Sequence, residues 1–206
     1  MLRADLYEKS IPIESYVSKT DCRACGFHSR AEFLNSLSAG RLKPTQCKMS
    51  KTRFFPLLWA ARPDEILPEV ESLQLPNPGP AGLFPINQPE KDSPIIVSGN
   101  SKLTIEVLTA VFSTTLSPFW YLVVDMDGHT VDMALVYEVL TAERVVQSLD
   151  RENVKDIAPA STLFLPGLAA SIRDDLAEQS GYSVTVGPVC AAELPLFFGD
   201  KTWKLA

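Results

Sequence analysis

The sequence predicts an α/β protein in which a small helical, cysteine-containing N-terminal module is joined to a Rossmann-like domain with a parallel sheet. Two observations predict this fold. After Pro94, short apolar runs rich in β-branched residues alternate with amphipathic helical patterns, and three of the four cysteines lie within residues 22–47. Strands that are apolar throughout suit a sheet covered on both faces. Strand–helix alternation is typical of parallel sheets with right-handed crossovers.

The strands and helices of the second domain follow from these runs. Four apolar runs predict strands, and they are PIIVSG (94–99), FWYLVVDMDG (119–128), STLFLPG (161–167) and YSVTVGP (182–188). Three intervening segments place apolar residues on one helical face, and they are 102–113, 130–149 and 168–181. We expect a break near Thr141 in the second helix, and we expect Gly181 to end the third.

Charge and proline content divide the chain of 206 residues into three predicted segments, a cysteine module at 1–62, a linker at 63–93 and the sheet domain at 94–206. The module carries eleven Lys and Arg against five Asp and Glu, whereas the rest of the chain is acidic. Eight prolines lie between Pro63 and Pro94. Because proline propagates neither a helix nor a central strand, we expect only one short helical turn in the linker, around Glu65–Ser72.

Composition argues against several classes of protein. The chain is 46% hydrophobic with a net charge of −6, which is ordinary for a globular protein. No segment approaches the ~18 consecutive apolar residues of a membrane span, and no apolar stretch follows Arg3. We therefore expect no membrane span, no secretory signal and a cytoplasmic location. The basic residues of the module are scattered singly, so we also expect no nucleic-acid binding.

The thiols of the module form a candidate metal site. Cys22 and Cys25 are a C-x2-C pair, and Cys47 follows a predicted helix and a turn at Gly40. Closely spaced cysteines in a reducing compartment indicate a metal more than a disulfide, and soft thiolates select iron–sulfur clusters or zinc. Thioredoxin-like redox pairs share the spacing, but no βαβ pattern surrounds it here. Three incidental cysteines are the alternative.

The turns after the predicted strands are candidate ligand-binding segments, because ligands of such sheets bind at the carboxyl ends of the strands. Each turn contains glycine, and they are SGNS (98–101), DMDGHT (125–130), PGL (166–168) and GPVC (187–190). None matches GxGxxG or a Walker loop, so no motif supports a dinucleotide or a nucleoside triphosphate. Ordinary tight turns are the alternative. Asp125 and Asp127 could also pair as an acid and a base.

The cysteine module resembles the small iron–sulfur domain of the large (gamma) subunit of the corrinoid iron–sulfur protein, the methyl carrier of the acetyl-CoA pathway. That domain has the pattern C-x2-C-G-x3-C-x16-C, with a helix between its last two cysteines. Cys22, Cys25, Gly26 and Cys47 fall in register with this pattern, as does FLNSLSAGRL (33–42). The resemblance implies a 4Fe–4S cluster held by the three matched cysteines.

One position departs from the family pattern, because the third cysteine of the pattern falls at Arg30. Imidazole is a known replacement for thiolate at iron, and His28 lies two residues earlier. His28 is therefore the candidate fourth ligand. The alternatives are Cys190 reaching in from the sheet domain, an open iron site, and a module that has lost its cluster.

The resemblance extends through the second domain. Four segments match family segments in order, and they are SGNSKLT (98–104), YLVVDMDGHTV (121–131), LPGLAASIRDDLAEQSGYSVTVGP (165–188) and ELPLFF (193–198). In the family this domain covers one face of a cobalt corrinoid, and a TIM barrel separates the two modules, where this chain has its linker. The resemblance implies corrinoid contacts from nine residues, Asn100, Ser101, Thr104, Gly128, His129, Thr130, Val131, Gly167 and Gly187.

His129 admits two interpretations. It stands where the family usually has Met, and it could ligate cobalt or titrate near neutral pH as a switch. Alternatively it is a surface histidine beside Thr130, a good N-cap residue for the helix that follows.

The function implied by the resemblance is carriage rather than catalysis by side chains. In the family, cobalt accepts and passes on a methyl group, and the cluster supplies the electron that restores oxidised cobalt. Without the barrel, this chain would cover one side of the corrinoid and would need a barrel-type methyltransferase or corrinoid-protein subunit as partner. The alternatives are an iron–sulfur electron-transfer or regulatory protein that binds no corrinoid, and a structural subunit with neither cofactor.

Overall fold

The computed structural model describes residues 6–70 and 76–206. Four helices precede the sheet, and they are α1 (Ile13–Tyr16), α2 (Lys19–Ala24), α3 (Arg30–Ser38) and α4 (Lys51–Ala61). The strands are β1 (Gly82–Ile86), β2 (Ile95–Gly99), β3 (Phe119–Val124), β4 (Thr162–Leu165) and β5 (Ser183–Val186). The later helices are α5 (Lys102–Phe112), α6 (Val131–Val136), α7 (Ala142–Arg151), α8 (Val154–Ile157), α9 (Arg173–Ser180) and α10 (Leu194–Thr202).

The five strands of the described residues form one sheet in the order β1-β3-β2-β4-β5. Strand β1 is antiparallel to β3, and the other neighbouring strands are parallel. The four predicted strands and the predicted α/β class are therefore confirmed. The break near Thr141 is confirmed as well, because the Thr141 hydroxyl caps α7 by accepting a hydrogen bond from the backbone N–H of Arg144 (3.2 Å). Gly181 ends α9 with a φ of 72°.

Strand β1 lies inside the predicted linker, for which the sequence predicts no strand. It contains Pro85, which has no N–H to donate. Because β1 is an edge strand and needs hydrogen bonds on one side only, the proline is tolerated. The turn expected around Glu65–Ser72 is found slightly earlier, as a 3₁₀ turn at Pro63–Glu65. Residues 71–75 lie outside the described residues, and the division into three segments stays a prediction.

Helices cover both faces of the sheet over two apolar cores. Alternate residues of β2 and β3 point to opposite faces, as the strand period of two requires. Ile95 and Leu122 face one of these cores, which we call the second core and which also contains residues of α6, α7, α8 and α9. Ile96 and Tyr121 face a shared core to which α5, α10 and the N-terminal helices contribute.

The cysteine module is part of that shared core. Phe54 and Leu57 of α4 are almost completely buried in it, as is Trp203, which follows α10. A polar contact crosses the same junction, where the Tyr16 hydroxyl donates to a Glu193 carboxylate oxygen (2.8 Å). Module and sheet therefore pack as one hydrophobic unit. Within residues 6–70 and 76–206, no helix has the length and apolar character that crossing a membrane requires.

Candidate functional site

The order of the strands creates a crevice between β2 and β4. The chain leaves β2 through α5 and returns to the sheet at β3 on one side. It then crosses back through α6, α7 and α8 to β4, on the other side of β2. This reversal is a topological switch point, and ligands of open α/β sheets bind there, outside the carboxyl ends of the strands.

A pocket of about 300 Å³ opens at this point, and we call it the switch-point pocket. Its walls come from the ends of β2 and β4, from the turn after β5 and from α5, α6 and α10. Most of the lining is aliphatic or aromatic, with a few polar groups such as Ser98 and Asp132. Four of the nine residues that the resemblance implies also line it, namely Thr104, Thr130, Val131 and Gly187.

Gly167 lies beside the switch-point pocket, between Pro166 and Leu168 of its wall. Its N–H donates to the carbonyl of Pro188 (2.9 Å), so the turns after β4 and β5 are held together. A Cβ at position 167 would lie 2.7 Å from the backbone nitrogen of Val189. Glycine is therefore required for this close approach of two backbones.

Asn100 is buried and organises the turns instead of lining the pocket. Its side-chain oxygen accepts hydrogen bonds from the N–H groups of Met126 (2.8 Å) and Gly128 (3.0 Å). Its amide nitrogen donates to a carboxylate oxygen of Asp125 (2.8 Å) and to the carbonyl of Gly79 (3.4 Å). One side chain thus joins the turn after β2 to the turn after β3 and to the linker.

Three linker residues, Asn77–Gly79, lie against the same two turns, and we call them the clamp. Lys102 N–H at the start of α5 donates to the Asn77 carbonyl (2.9 Å), and Asn77 N–H donates to the Gly128 carbonyl (3.0 Å). Gly128 has a φ of 77°, and a Cβ there would lie 2.4 Å from Pro78 N. Ser101 is fully buried nearby, and its hydroxyl has no hydrogen-bond partner in the described structure. Ser101 and Gly128 therefore lie against the clamp and outside the pocket.

The remaining candidates after β3 are separated from one another. The ring of His129 packs 5.0 Å from that of Tyr137, and its buried Nδ1 has no hydrogen-bond partner among the described residues. Asp125 accepts from Asn100, whereas Asp127 pairs with Arg144 (3.2 Å). The two carboxylates are thus engaged by different groups, and an acid–base role for them stays a prediction.

Two pocket residues were not anticipated from the sequence. The Tyr7 hydroxyl donates to a carboxylate oxygen of Asp132 (2.8 Å), and both residues line the switch-point pocket. Burial alone would raise the pKa of Asp132, but hydrogen bonds from Thr130, from Tyr7 and from backbone N–H groups bring it below its usual value. Thr130 precedes α6 at the N-cap position, as predicted. Its hydroxyl, however, donates a hydrogen bond to the Asp132 carboxylate and accepts none from a backbone N–H of the helix. No sequence signal relates Tyr7 to a residue 125 positions away.

The three cysteines of the module lie on neighbouring segments. Cys25 and Cys47 are joined by a disulfide, with their Cα atoms 4.3 Å apart. Cys22 is buried, and its thiol donates to the Ser18 carbonyl (3.4 Å). The N–H of Lys48 donates to the carbonyl of Ala24 (2.9 Å), which fixes the segment after Cys47 against the end of α2.

A basic groove of about 470 Å³ lies beside Cys22. It is lined by Lys19, Cys22, Arg23, His28, Ser29 and Arg30. Burial raises the pKa of the Cys22 thiol, the Asp21 carboxylate raises it further, and the Arg30 cation opposes both. Arg30 thus stands next to a thiol at the position where the resembled pattern has another cysteine.

The donor set of the module suits iron in its chemistry, because thiolates and imidazole are both ligands of iron–sulfur clusters. The positions of these donors, however, do not form a complete set of metal ligands. Among residues 6–70 and 76–206, no group of three or more His, Cys, Asp or Glu side chains is placed to hold a metal ion. Cys190 is fully buried in the shared core, directly before the 3₁₀ turn Ala191–Glu193. A cluster would therefore require the Cys25–Cys47 bond to be reduced.

Comparison with known proteins gives one family. The model of the family described as "CO dehydrogenase/acetyl-CoA synthase delta subunit" matches residues 71–198. This range contains the whole sheet and every predicted corrinoid contact, whereas the cysteine module precedes it.

Curated relatives carry a related name, acetyl-CoA decarbonylase/synthase complex subunit gamma. The Methanosarcina acetivorans protein is 30% identical over 156 residues, which cover 71% of this chain and 33% of the relative. The Methanopyrus kandleri protein is 29% identical over 116 residues, covering 56% and 25%. The Methanocaldococcus jannaschii protein is 29% identical over 129 residues, covering 60% and 26%. The chain thus spans a quarter to a third of the length of these relatives.

The matched region and the geometry agree, because the switch-point pocket is built mainly from strands and turns inside residues 71–198. The match covers more than half of the chain, and the resemblance seen in the sequence is confirmed at the level of the family. This protein belongs to the CO dehydrogenase/acetyl-CoA synthase delta subunit family.

Proposed function

We propose that this protein supplies one face of a corrinoid site, used for methyl-group transfer or for reduction of cobalt. The observation that carries the proposal is the switch-point pocket, which lies where α/β sheets bind ligands and within the family-matched region. Thr104, Thr130, Val131 and Gly187 meet there from three separate segments of the chain.

The chemistry of the pocket suits this ligand class. A corrinoid presents broad apolar faces fringed with amide groups, and the pocket combines apolar walls with a few hydroxyl and carboxylate groups. When bound, the cobalt would supply the methyl and redox chemistry. The residues of this chain would hold the ring edge, exclude water from it and offer a hydrogen bond from the Thr104 hydroxyl, while the Thr130 hydroxyl, which donates to Asp132, could accept one.

A partner subunit completes the proposal. The four parallel strands present their carboxyl ends on one side of the sheet, so a second protein would cover the other face of the corrinoid. The relatives are named as subunits of a complex. We propose a barrel-type methyltransferase or corrinoid-protein subunit as that partner, since a barrel fills the corresponding role in the resembled family.

A tryptophan substitution tests the pocket directly. Thr104→Trp would fill the pocket from α5, whereas Thr109→Trp places the same side chain on the exposed side of the same helix. Anaerobic protein is titrated with cobinamide and with hydroxocobalamin, and binding is followed by the visible spectrum and by co-elution. We expect the wild type and Thr109→Trp to bind alike and Thr104→Trp to bind at least about tenfold more weakly. Absence of binding by the wild type, or equal binding by all three proteins, would contradict the proposal.

The proposal extends to the cysteine module, where Cys22, Cys25 and Cys47 would hold a 4Fe–4S cluster with His28 as the candidate fourth ligand. Reduction of the Cys25–Cys47 bond releases two thiols beside Cys22. His28 lines the same groove as Cys22, and the cations of that groove would compensate the negative charge of a thiolate cluster. The cluster would supply electrons to cobalt.

Iron analysis tests this second half. Reduced protein is reconstituted anaerobically with iron and sulfide, and we expect a brown product with about four irons per chain. Cys25→Ser should lose the iron, and Cys190→Ser, which changes a thiol in the shared core, should keep it. Colourless, iron-free wild-type protein would reject the cluster.

The two halves are separable. Iron without corrinoid binding would favour the alternative of an iron–sulfur electron-transfer or regulatory protein on the same scaffold. Corrinoid binding without iron would mean that the module is a purely structural part of the protein. The Cys25–Cys47 disulfide favours this structural role.

A further inference from the structure

Two residues near the N-terminus contribute to the wall of the switch-point pocket. Leu6 and Tyr7 line the pocket although the rest of its lining begins at Ile96. The Tyr7 hydroxyl donates to Asp132 at the first turn of α6, another lining residue (2.8 Å). We call the pair Leu6–Tyr7 the latch.

The backbone of the latch is held in a conformation that residues with a side chain seldom adopt. Tyr7 has a φ of 59° and a ψ of 29°, in the left-handed region. Its carbonyl accepts hydrogen bonds from the N–H of Ser10 (2.9 Å) and from the Ser10 hydroxyl (2.6 Å). This turn directs the phenol ring into the pocket, so the latch is maintained by local hydrogen bonds and by Asp132 together.

The latch is followed by an exposed turn and then by buried residues. Glu8–Ser10 are exposed, whereas Ile11 and Val17 are buried in the shared core. Leu6 and Tyr7 are only partly buried where they pack against that core. A rotation about the exposed turn would therefore move the phenol out of the pocket while Ile11 and Val17 stay in place.

Asp132 is already provided with hydrogen bonds other than the one from Tyr7. It accepts from the hydroxyl of Thr130 and from the backbone N–H of Met133. When Tyr7 leaves, the carboxylate keeps these donors and gains water. The bond from Tyr7 therefore closes the pocket without being needed to keep Asp132 charged.

We propose that the latch gates the switch-point pocket, so that the Tyr7–Asp132 hydrogen bond must open before a bulky ligand is admitted. A volume of about 300 Å³ is at the lower end of small-molecule sites. A corrin macrocycle with its amide side chains is larger, and moving the Tyr7 ring out of the pocket would enlarge the space next to the start of α6. The ligand named here rests on the proposed function, but the gate itself does not.

The structure offers a matched control for this gate. Tyr16 donates to Glu193 over the same distance as Tyr7 to Asp132, 2.8 Å. Both tyrosines lie in the N-terminal part of the chain and both acceptors are carboxylates. Tyr16 does not line the switch-point pocket, so loss of its hydroxyl leaves the opening unchanged.

The opening is measured without any corrinoid. Thr104→Cys introduces a thiol into the wall of the pocket, and its rate of labelling by fluorescein maleimide reports how often the pocket is open. Tyr7→Phe removes the hydroxyl and keeps the ring. We expect it to raise the labelling rate about threefold to tenfold, as loss of one charge-assisted hydrogen bond would. Tyr16→Phe should leave the rate unchanged, and protein without Thr104→Cys corrects for the native thiols.

A double variant confirms the partner. Asp132→Ala should raise the labelling rate as Tyr7→Phe does, and the two changes together should add little, because they remove the same bond. Equal labelling rates in the Tyr7→Phe, Tyr16→Phe and otherwise unchanged proteins would overturn the gate.

The gate and the proposed function are distinguishable. The association rate of cobinamide should rise with Tyr7→Phe by a factor similar to that of labelling. If labelling depends on Tyr7 but cobinamide binds to no variant, the gate stands and the corrinoid proposal fails. If cobinamide associates equally fast with and without the Tyr7 hydroxyl, the gate does not control this ligand and the inference is rejected.

Discussion

The two faces of the sheet are covered in different ways. On the face of the second core, α6, α7, α8 and α9 all belong to the segments that connect one strand to the next. Among the described helices on the face of the shared core, only α5 connects two strands. Helix α4 precedes the first strand of the sheet, and α10 follows the last. The cysteine module therefore completes a layer of the sheet domain, and we expect its stability and that of the sheet to be inseparable.

Two buried carboxylates have opposite character, one inside the module and one at its junction with the sheet. Asp21 accepts hydrogen bonds from Ser18 and from the guanidinium of Arg53 (3.0 Å), and together they outweigh burial and lower its pKa. Burial raises the pKa of Glu193, and the hydrogen bond from Tyr16 opposes it only in part. The charged form of Asp21 therefore stabilises the module, whereas burial makes the charged form of Glu193 unfavourable.

The largest effect is expected from Phe54→Ala, which tests whether the module and the sheet unfold together. Phe54 is 1% exposed, and its loss should lower the free energy of unfolding by about 3–5 kcal/mol. Denaturant unfolding is carried out in a Trp59→Phe background, which removes the tryptophan of α4, and is followed by circular dichroism and by the fluorescence of Trp120 and Trp203, which then reports on the sheet domain. Both signals should shift together in one transition. Phe55→Ala, one position along at a partly exposed site, should cost less. An unshifted fluorescence transition would show that the module unfolds alone.

A smaller effect is expected on the sheet side, from Asn100→Ala. The change removes four hydrogen bonds and leaves buried donors and acceptors without partners. We expect a loss of about 2–4 kcal/mol in the free energy of unfolding. Asn35→Ala, at an exposed position of α3, should cost much less. If the two variants were equally stable, Asn100 would not organise the turns, and a role in direct ligand contact would be the better explanation.

The smallest effects are expected from Asp21 and Glu193, and they should have opposite signs. At pH 7 we expect Asp21→Asn to lower the unfolding free energy and Glu193→Gln to raise it, each by about 1 kcal/mol. A lowered pKa gives stability that is present above the unfolded value, near ~3.9, and is lost as pH falls through the folded pKa. A raised pKa gives stability that is present below the unfolded value, near ~4.3, and is lost as pH rises through the folded pKa.

Unfolding curves at a series of pH values between neutrality and acid check both signs. The difference between Asp21→Asn and the wild type should shrink as the pH falls below the unfolded value. The gain from Glu193→Gln should shrink on acidification as well, because protonated Glu193 is then as neutral as glutamine. Equal signs for the two variants would mean that the carboxylates do not differ in the way their environments indicate.

The local sequence predicted those elements whose signals are local. The strands β2, β3, β4 and β5 are short apolar runs, and the split between α6 and α7 follows from the capping hydroxyl of Thr141. Three of the elements that were not predicted contain prolines. Pro85 lies in an edge strand, Pro56 lies inside α4, and Pro195 lies in the first turn of α10. The first turn of a helix tolerates a missing N–H locally, whereas Pro85 depends on the position of its strand in the sheet.

The candidate site was predicted in part for a similar reason. The turns that carry ligands could be located, since they end the strands, and Thr104 and Gly187 lie in the pocket. The sequence does not show which turn the chain itself would cover. Asn100 and Gly128 are occupied by contacts to the clamp, and Tyr7 enters the pocket from far away in the sequence. Such long-range contacts depend on the packing of the whole chain.

The clamp has a consequence for selectivity. In dinucleotide-binding sheets, the helix after the first strand offers its N-terminal N–H groups to a pyrophosphate. Here the carbonyl of Asn77 takes the Lys102 N–H at that helix end, and Pro78 lies where a ligand would pass Gly128. The linker thus occupies the helix N-terminus and the turn at which a dinucleotide-binding sheet would receive its phosphates. The apolar switch-point pocket beside it remains the open part of this edge.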